Sequence, residues 1–261
     1  MRRDLTHCRV LITGASSGIG AALAVELARA KANIVLNGRR EDRLREVAEK
    51  VETLGGQAVV APGDVTEKAV RIAALELAER QFGGLDVLVN NAGVSAWGIF
   101  HEASEDRLRR IMDVNFFAPA ELMREAAPLL QRGRSPLIVN VASILGHRGI
   151  PLQAEYCASK FALRGLSEAI RPELRRLGID LLVASPGTTE SDFFEHLLER
   201  AAKMPWRQHR GMPVATVARQ VVRAMWQGRH EIVLGGRGKL LVWLNRLAPR
   251  LLDTWMERYT R

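Results

Sequence analysis

Cysteine is scarce in this chain of 261 residues, with only Cys8 and Cys157. Two such thiols make neither a disulfide framework nor a metal-ligand spacing, and a reducing cytoplasm is their expected setting. The six histidines show no metal-ligand spacing either, so no metal is expected. No apolar run approaches the roughly 18 residues of a membrane span. Met1-Arg2-Arg3-Asp4 lead into the first apolar stretch without a signal core, which gives no sign of secretion. The chain lacks an aromatic-interleaved basic motif, so no nucleic-acid partner is expected. It also lacks internal repeats and low-complexity linkers, and its length suits one large core.

What is present is unevenly distributed. The net charge is +9. Residues 200–261 hold 13 Lys and Arg against 3 Asp and Glu, whereas residues 1–199 hold 25 against 26. The whole basic excess therefore lies in the last quarter, where it can face acidic lipid, an acidic carrier protein or only solvent.

Strand-like and helix-like stretches alternate along the chain. Val10-Leu11-Ile12, residues 33–37, 57–61, 85–89, 137–141, 179–184 and 231–234 read as buried strands. Helical patterns cover residues 21–28, 41–54, 66–82, about 104–131, about 153–177 and 214–227. This alternation predicts an α/β fold with a parallel sheet covered on both faces. Residues 188–211 are mixed and read as a substrate lid. In such sheets ligands bind beyond the carboxyl ends of the strands, where the strand order reverses.

Between the first strand and its helix stands Thr13-Gly14-Ala15-Ser16-Ser17-Gly18-Ile19-Gly20. Gly14 can take angles that a Cβ resists, Gly18 lets a pyrophosphate approach, and Gly20 lets the helix lie close to the strand. The helix start then offers free N–H groups to phosphate oxygens. Downstream, Tyr156-Cys157-Ala158-Ser159-Lys160 sets a phenol and an ammonium four residues apart on one helical face. Ser143 ends the stretch Asn140-Val141-Ala142-Ser143, and Asn115 closes Asp113-Val114-Asn115.

Together these motifs resemble the short-chain dehydrogenase/reductase family, in its classical form, over roughly residues 8 to 235. The resemblance implies a single Rossmann-like, doubly wound parallel sheet of about seven strands in residues 1–236. It implies catalysis by Asn115, Ser143, Tyr156 and Lys160. Tyr156 would be the general acid or base, and Ser143 a hydrogen-bond donor to the substrate oxygen. Lys160 would lower the phenol from its ordinary value of roughly 10 and bond the nicotinamide ribose. Asn115 would hold a water near Lys160. A dinucleotide would rest on Gly14, Ser16, Ser17, Gly18, Ile19 and Gly20. Asp64 and Val65 would meet adenine, and Asn91, Ala92 and Gly93 the ribose side. Pro186, Gly187, Thr189 and Ser191 would meet the carboxamide and pyrophosphate.

The second strand ends Leu36-Asn37-Gly38-Arg39-Arg40. Gly38 stands where NAD-preferring members carry an acidic residue, and Arg39 suits a 2′-phosphate. NADP(H) is therefore expected over NAD(H). Arg40 would stack on adenine or face water. Apolar loop residues, among them Trp97, Ile99, Phe100, Leu145, Phe193 and Phe194, suit a lipophilic carbonyl or alcohol. A 3-oxoacyl-thioester reductase and a dinucleotide-binding redox sensor are the rival readings; the retained Tyr and Lys favour an enzyme. A homodimer or homotetramer is expected. Residues 237–261 form a basic amphipathic extension of two short helices. They are expected to pack on their own domain, a neighbouring subunit or a bilayer surface.

Overall fold

The computed structural model describes residues 2–191, 193, 197–202 and 211–257. Residues 192, 194–196 and 203–210 of the expected lid, with Phe194 among them, lie outside this description, as do the last four residues.

The β-strands and α-helices alternate as the apolar pattern predicts. They run β1 (Arg9–Thr13), α1 (Gly18–Ala28), β2 (Asn33–Gly38), α2 (Glu41–Thr53), β3 (Gln57–Pro62), α3 (Lys68–Phe82) and β4 (Val87–Asn90). There follow α4 (Glu105–Met112), α5 (Ala118–Gln131), β5 (Leu137–Val141), α6 (Ala154–Arg176) and β6 (Asp180–Ser185). The short strands β7 (Thr189–Glu190) and β8 (Met212–Pro213) pair with each other, and α7 (Val214–Trp226) and β9 (Glu231–Val233) complete the sheet. Two further helices, α8 (Gly236–Leu247) and α9 (Pro249–Glu257), end the described chain. The helix expected over about 104–131 is present with an interruption. Asp113–Phe117 form a π-helical turn between α4 and α5.

The main sheet is parallel throughout, in the order β3-β2-β1-β4-β5-β6-β9. Strand residues alternate between two cores. Val10, Ile12, Ile34, Leu36, Val87 and Val89 pack with α1, α2 and α7. Leu11, Val35, Leu88, Ile138 and Leu181 pack on the other face with α3, α5 and α6. The fold is thus the Rossmann-like, doubly wound α/β sheet of the sequence expectation. Strand order reverses on either side of β1, between β2 and β4. That reversal opens a crevice at the carboxyl end of β1.

Two glycines make the β1–α1 turn possible. Gly14 has φ +64°, and a Cβ there would stand 2.8 Å from the Ala92 Cα. A Cβ on Gly20 would collide with the Gly14 carbonyl oxygen and come 2.5 Å from the Asn91 Nδ2. Backbone atoms cannot yield as a flexible side chain can, so Gly20→Ala overpacks the turn. The expected cost is about 1–3 kcal/mol, read as a lower urea midpoint at unchanged slope. An unchanged midpoint would mean that the turn has slack.

Candidate active site

The turn at the end of β1 is tied to the end of β4 by side chains of both strands. The Thr13 hydroxyl accepts the Asn91 N–H at 3.0 Å and the Ala92 N–H at 3.1 Å. The Asn91 amide donates to the carbonyls of Thr13, at 3.0 Å, and Gly14, at 3.1 Å. Asn91, expected beside a ribose, thus has its amide nitrogen committed to the turn. Thr13 carries a role that its place in the motif did not reveal.

Helix α1 starts at Gly18 with no acidic residue in its first turn and no side-chain cap from Ser17. Its first N–H groups and the positive end of its dipole are available to an anion. Gly18 has φ +57°, and a Cβ there would stand 3.5 Å from the Ser191 Cβ, so Ser191 lies over the turn. Ile19 packs partly against the core behind it. The cradle fits a pyrophosphate group.

The two arginines after β2 divide the space beside this cradle. Arg40 Nη2 donates to the Ser17 hydroxyl at 2.8 Å and reaches the Ser16 hydroxyl at 3.4 Å. Arg40 therefore braces the turn, where sequence reading left it to stack or face water. Arg39 is exposed and contributes positive charge at Asp64. Burial pushes the Asp64 carboxyl up, but the Thr66 N–H and hydroxyl, at 3.0 and 2.8 Å, and the charges of Arg39 and Arg110 outweigh it. The net shift is below the usual carboxylate value. Val65 is buried in the second core.

Across the seam, β5 and α6 position the residues expected to be catalytic. Ser143 follows β5 and its oxygen accepts the Leu145 N–H at 3.1 Å. The Ser143 hydroxyl also favours the ionised form of Tyr156, a residue that is 9% exposed. The Ile144 N–H is held by the Pro186 carbonyl at 3.0 Å, which locks this segment to the end of β6. Gly187 follows, and its carbonyl accepts the Thr189 hydroxyl at 3.1 Å. Phe193, within the segment expected to form a lid, lies 5.8 Å from the Tyr156 ring, centroid to centroid.

Lys160 lies one turn beyond Tyr156. Its Nζ donates to the Val141 carbonyl at 3.0 Å and stands 5.8 Å from the tyrosine ring centroid. Asn115 sits in the π-helical turn, fully buried. Its Oδ1 accepts the Val94 N–H at 2.8 Å, and its Nδ2 donates to the Val94 carbonyl and the Ser159 hydroxyl, both at 2.9 Å. Ser159 donates onward to the Tyr156 carbonyl at 2.7 Å. A Cβ on Gly93 would stand 3.3 Å from Asn115 Oδ1 and 3.6 Å from Lys160 Nζ, so the space beside Gly93 borders both groups.

Burial governs the titration of the pair. It raises the Tyr156 phenol well above its ordinary value, against the neighbouring Ser143 hydroxyl, which lowers it. The expected pull of Lys160 is thus outweighed, because desolvation of the phenolate is the larger effect in this setting. The same burial lowers Lys160 from 10.5 to about 8.

Two arrangements were not legible in sequence. Arg107 and Glu155, both buried, pair at 2.5 Å and join α4 to the start of α6, one residue before Tyr156. Arg107 also meets Glu199 at 3.3 Å, and backbone bonds link Ser95 to Leu198 and Trp97 to both Glu199 and Ala201. Beneath the site, Asn140 accepts from Asn90 and donates to Ser167, at 2.8 Å each.

A family model described as short chain dehydrogenase matches residues 9–202. The oxidoreductase YxnA of Bacillus subtilis is 34% identical over 256 residues, which is 95% of this chain and 71% of the relative. Dehydrogenase/reductase SDR family member 7B of Bos taurus is 31% identical over 278 residues, covering 100% of this chain and 84% of the relative. A crystal structure of a short chain dehydrogenase/reductase from Burkholderia phymatum, in complex with NAD, superposes with a TM-score of 0.86. It is 25% identical and covers 96% of each chain.

The Lys160 shift gives a test by linkage. Between pH 8 and 10.5 the unfolded chain still holds a proton that the folded chain has released, so stability gains with rising pH. The burial penalty is present in full below the folded value of about 8 and is relieved above it. Urea unfolding of wild type and Lys160→Met should show wild type gaining on the variant as the pH rises from about 7.5 to 9.5, through the folded value of about 8. A constant difference would place the ammonium in a solvated setting.

Proposed function

The chain belongs to the short-chain dehydrogenase/reductase family, and from that premise we propose an NADP(H)-dependent oxidoreductase that interconverts a lipophilic carbonyl compound and its secondary alcohol. One observation carries the reading: Ser143, Tyr156 and Lys160 are buried together beside the β1–β4 crevice, with the Lys160 Nζ 5.8 Å from the Tyr156 ring centroid. Bound nicotinamide supplies or accepts the hydride. The protein's own groups handle the oxygen. Ser143 donates a hydrogen bond to it and Tyr156 exchanges a proton with it. A phenol held above its ordinary value is fully protonated at neutral pH, which suits the acid of a reduction. For oxidation the Lys160 ammonium draws the phenol toward its ionised form. The space beside Gly93, bordered by Asn115 and Lys160, suits a water that passes the proton outward.

Gly14, Ser16, Gly18, Ile19 and Gly20 form the cradle for the pyrophosphate, with Ser17 braced by Arg40. Asp64, Val65, Ala92 and Gly93 line the adenosine side. Asn91 acts by holding the turn. Pro186, Gly187, Thr189 and Ser191 close the nicotinamide side. Lys160 bonds the ribose. We place the enzyme in the cytoplasm, where its free buried thiols Cys8 and Cys157 stay reduced. A homodimer or homotetramer would cover the exposed Leu108, Phe117 and Phe161.

Tyr156→Phe keeps the ring and deletes the acid. Turnover should fall by roughly 10²–10⁴ with the fold and NADPH binding retained, measured as NADPH oxidation against a panel of aldehydes, steroid ketones and a 3-oxoacyl thioester. Turnover close to wild type would remove Tyr156 from the chemistry.

Cofactor choice rests on the two arginines. Exposed Arg39 is free to turn its paired donors onto a 2′-phosphate, a contact worth about 1.5–3 kcal/mol. Arg39→Ala should weaken NADPH roughly ten- to a hundredfold and leave NADH little changed. Arg40→Ala loosens the turn itself and should weaken both cofactors. Fluorescence titration separates these outcomes, and a wild type that prefers NADH would overturn the assignment.

A further inference from the structure

Helices α8 and α9 form a hairpin with two unlike faces. The inner face is fixed to the catalytic segment. Gly238 lies so close to Ile144 that a Cβ would stand 2.9 Å from its Cγ2, and Val242 and Met256 are buried. The Asn245 amide donates to the His147 carbonyl at 3.0 Å. Arg148 donates to Asn245 Oδ1 at 3.0 Å and pairs with Asp253 at 2.5 Å. The hairpin is therefore an attached part of the molecule, seated on the residues that follow Ser143.

The outer face is apolar and open. Leu240, Trp243, Leu247 and Leu251 are 55, 58, 64 and 73% exposed. On α8 the first three recur at a spacing of three and four residues, which lines them along one stripe within about 60° of the helix circumference. On the same projection Arg237 flanks one edge of the stripe, and Lys239 and Arg246 flank the other. Arg250 starts α9, and all four basic residues are exposed.

We propose that this face docks the protein on an anionic phospholipid surface, with Trp243 and the three leucines in the interface and the basic residues at the headgroups. The charge pattern selects lipid over a second copy of the chain. A two-fold contact through this face would set the four basic residues of one copy against the same four of the other. Anionic headgroups complement them instead. Among the described residues no helix is long and apolar enough to cross a membrane, so the contact is peripheral, with the helices lying in the interface plane. The inference deepens the lipophilic-substrate reading, on which its purpose rests. A cleft of about 430 Å³ lies between α9 and residues 148–151, with Cys157, the neighbour of Tyr156, on its wall. A docked hairpin would hold that cleft close to the lipid.

The test uses the full-length protein and does not read catalysis, so its failure and that of the oxidoreductase reading are distinguishable. Wild type should co-sediment at low salt with phosphatidylcholine vesicles containing phosphatidylserine. High salt should release it, and vesicles of pure phosphatidylcholine should retain little. Arg246→Ala with Arg250→Ala should lower the partition coefficient roughly fivefold per residue removed. Trp243→Ser with Leu247→Ser should abolish binding while thermal unfolding and NADPH affinity stay as in wild type. Quenching of wild-type tryptophan emission by bromine-labelled acyl chains gives a readout that needs no variant. Absence of sedimentation at low salt, or equal binding to both kinds of vesicle, would overturn the proposal. So would light scattering that shows Trp243→Ser splitting an oligomer, which would assign the face to a second copy.

Discussion

The clamp between Thr13 and Asn91 is the constraint on which the site depends. Parallel strands β1 and β4 each end in a loop that leaves the sheet in a different direction, and nothing in the ladder fixes one loop against the other. The Thr13 hydroxyl and the Asn91 amide supply that link with four hydrogen bonds, each of 3.0 or 3.1 Å. Because the Asn91 amide occupies the carbonyls of Thr13 and Gly14, only glycine fits at position 20 beneath it. The N-terminus of α1 is thereby aimed at the crevice, and Arg40 braces the same turn from the β2 side through Ser16 and Ser17. A cradle held from three strands presents its N–H groups without waiting for a ligand to order them, which lowers the entropy that binding must overcome.

The two ends of the crevice are electrostatically unlike. At the half-buried cradle the start of α1 leaves backbone donors unpaired and favours an anion. At Tyr156 and Lys160 burial disfavours charge on both groups, raising the phenol and lowering the ammonium. Such a pair is sensitive to any charge brought beside it, because a buried charge interacts more strongly than a solvated one. The protonation state of Tyr156 is therefore set by what lies next to it, more than by a fixed value of its own.

Sequence made the sheet, its order of elements and the clustering of site residues at its carboxyl edge legible. Apolar runs, the glycine turn and the Tyr-to-Lys spacing are local signals, and the structure brings Ser143, Tyr156, Lys160 and the turn to one crevice. What escaped was set by contacts distant in the chain. The hold of Asn91 on the turn was not legible because its partners, Thr13 and Gly14, are far away along the sequence. Arg40 looked ambiguous because the serines that hold it lie across β1. The π-helical turn at Asn115 has the same apolar period as its flanking helices. Ser159, inside a quoted motif, gave no sign that it joins Asn115 to the Tyr156 backbone. The net titration of the tyrosine was not legible for one reason: spacing reports that an ammonium is near, but not how dry the site is.

The pair Arg107–Glu155 shows how the chemistry and the substrate side are joined. Both groups are buried, and a buried ion pair contributes little net stability, because the desolvation of two charges offsets their attraction. Its value lies in geometry. A guanidinium that bonds Glu155 through Nε and Nη2 fixes the start of α6 against α4, and so fixes Tyr156. Through Nη1 it meets Glu199, within a segment whose backbone is bonded to Ser95 and Trp97. The segment around Ser95, Trp97 and Glu199 is thus anchored by a directional contact to the helix that carries Tyr156. An apolar contact would let that segment slide, whereas a forked hydrogen bond does not. The forked bond thus lets side chains of that segment vary while the start of α6, and Tyr156 with it, keeps its place.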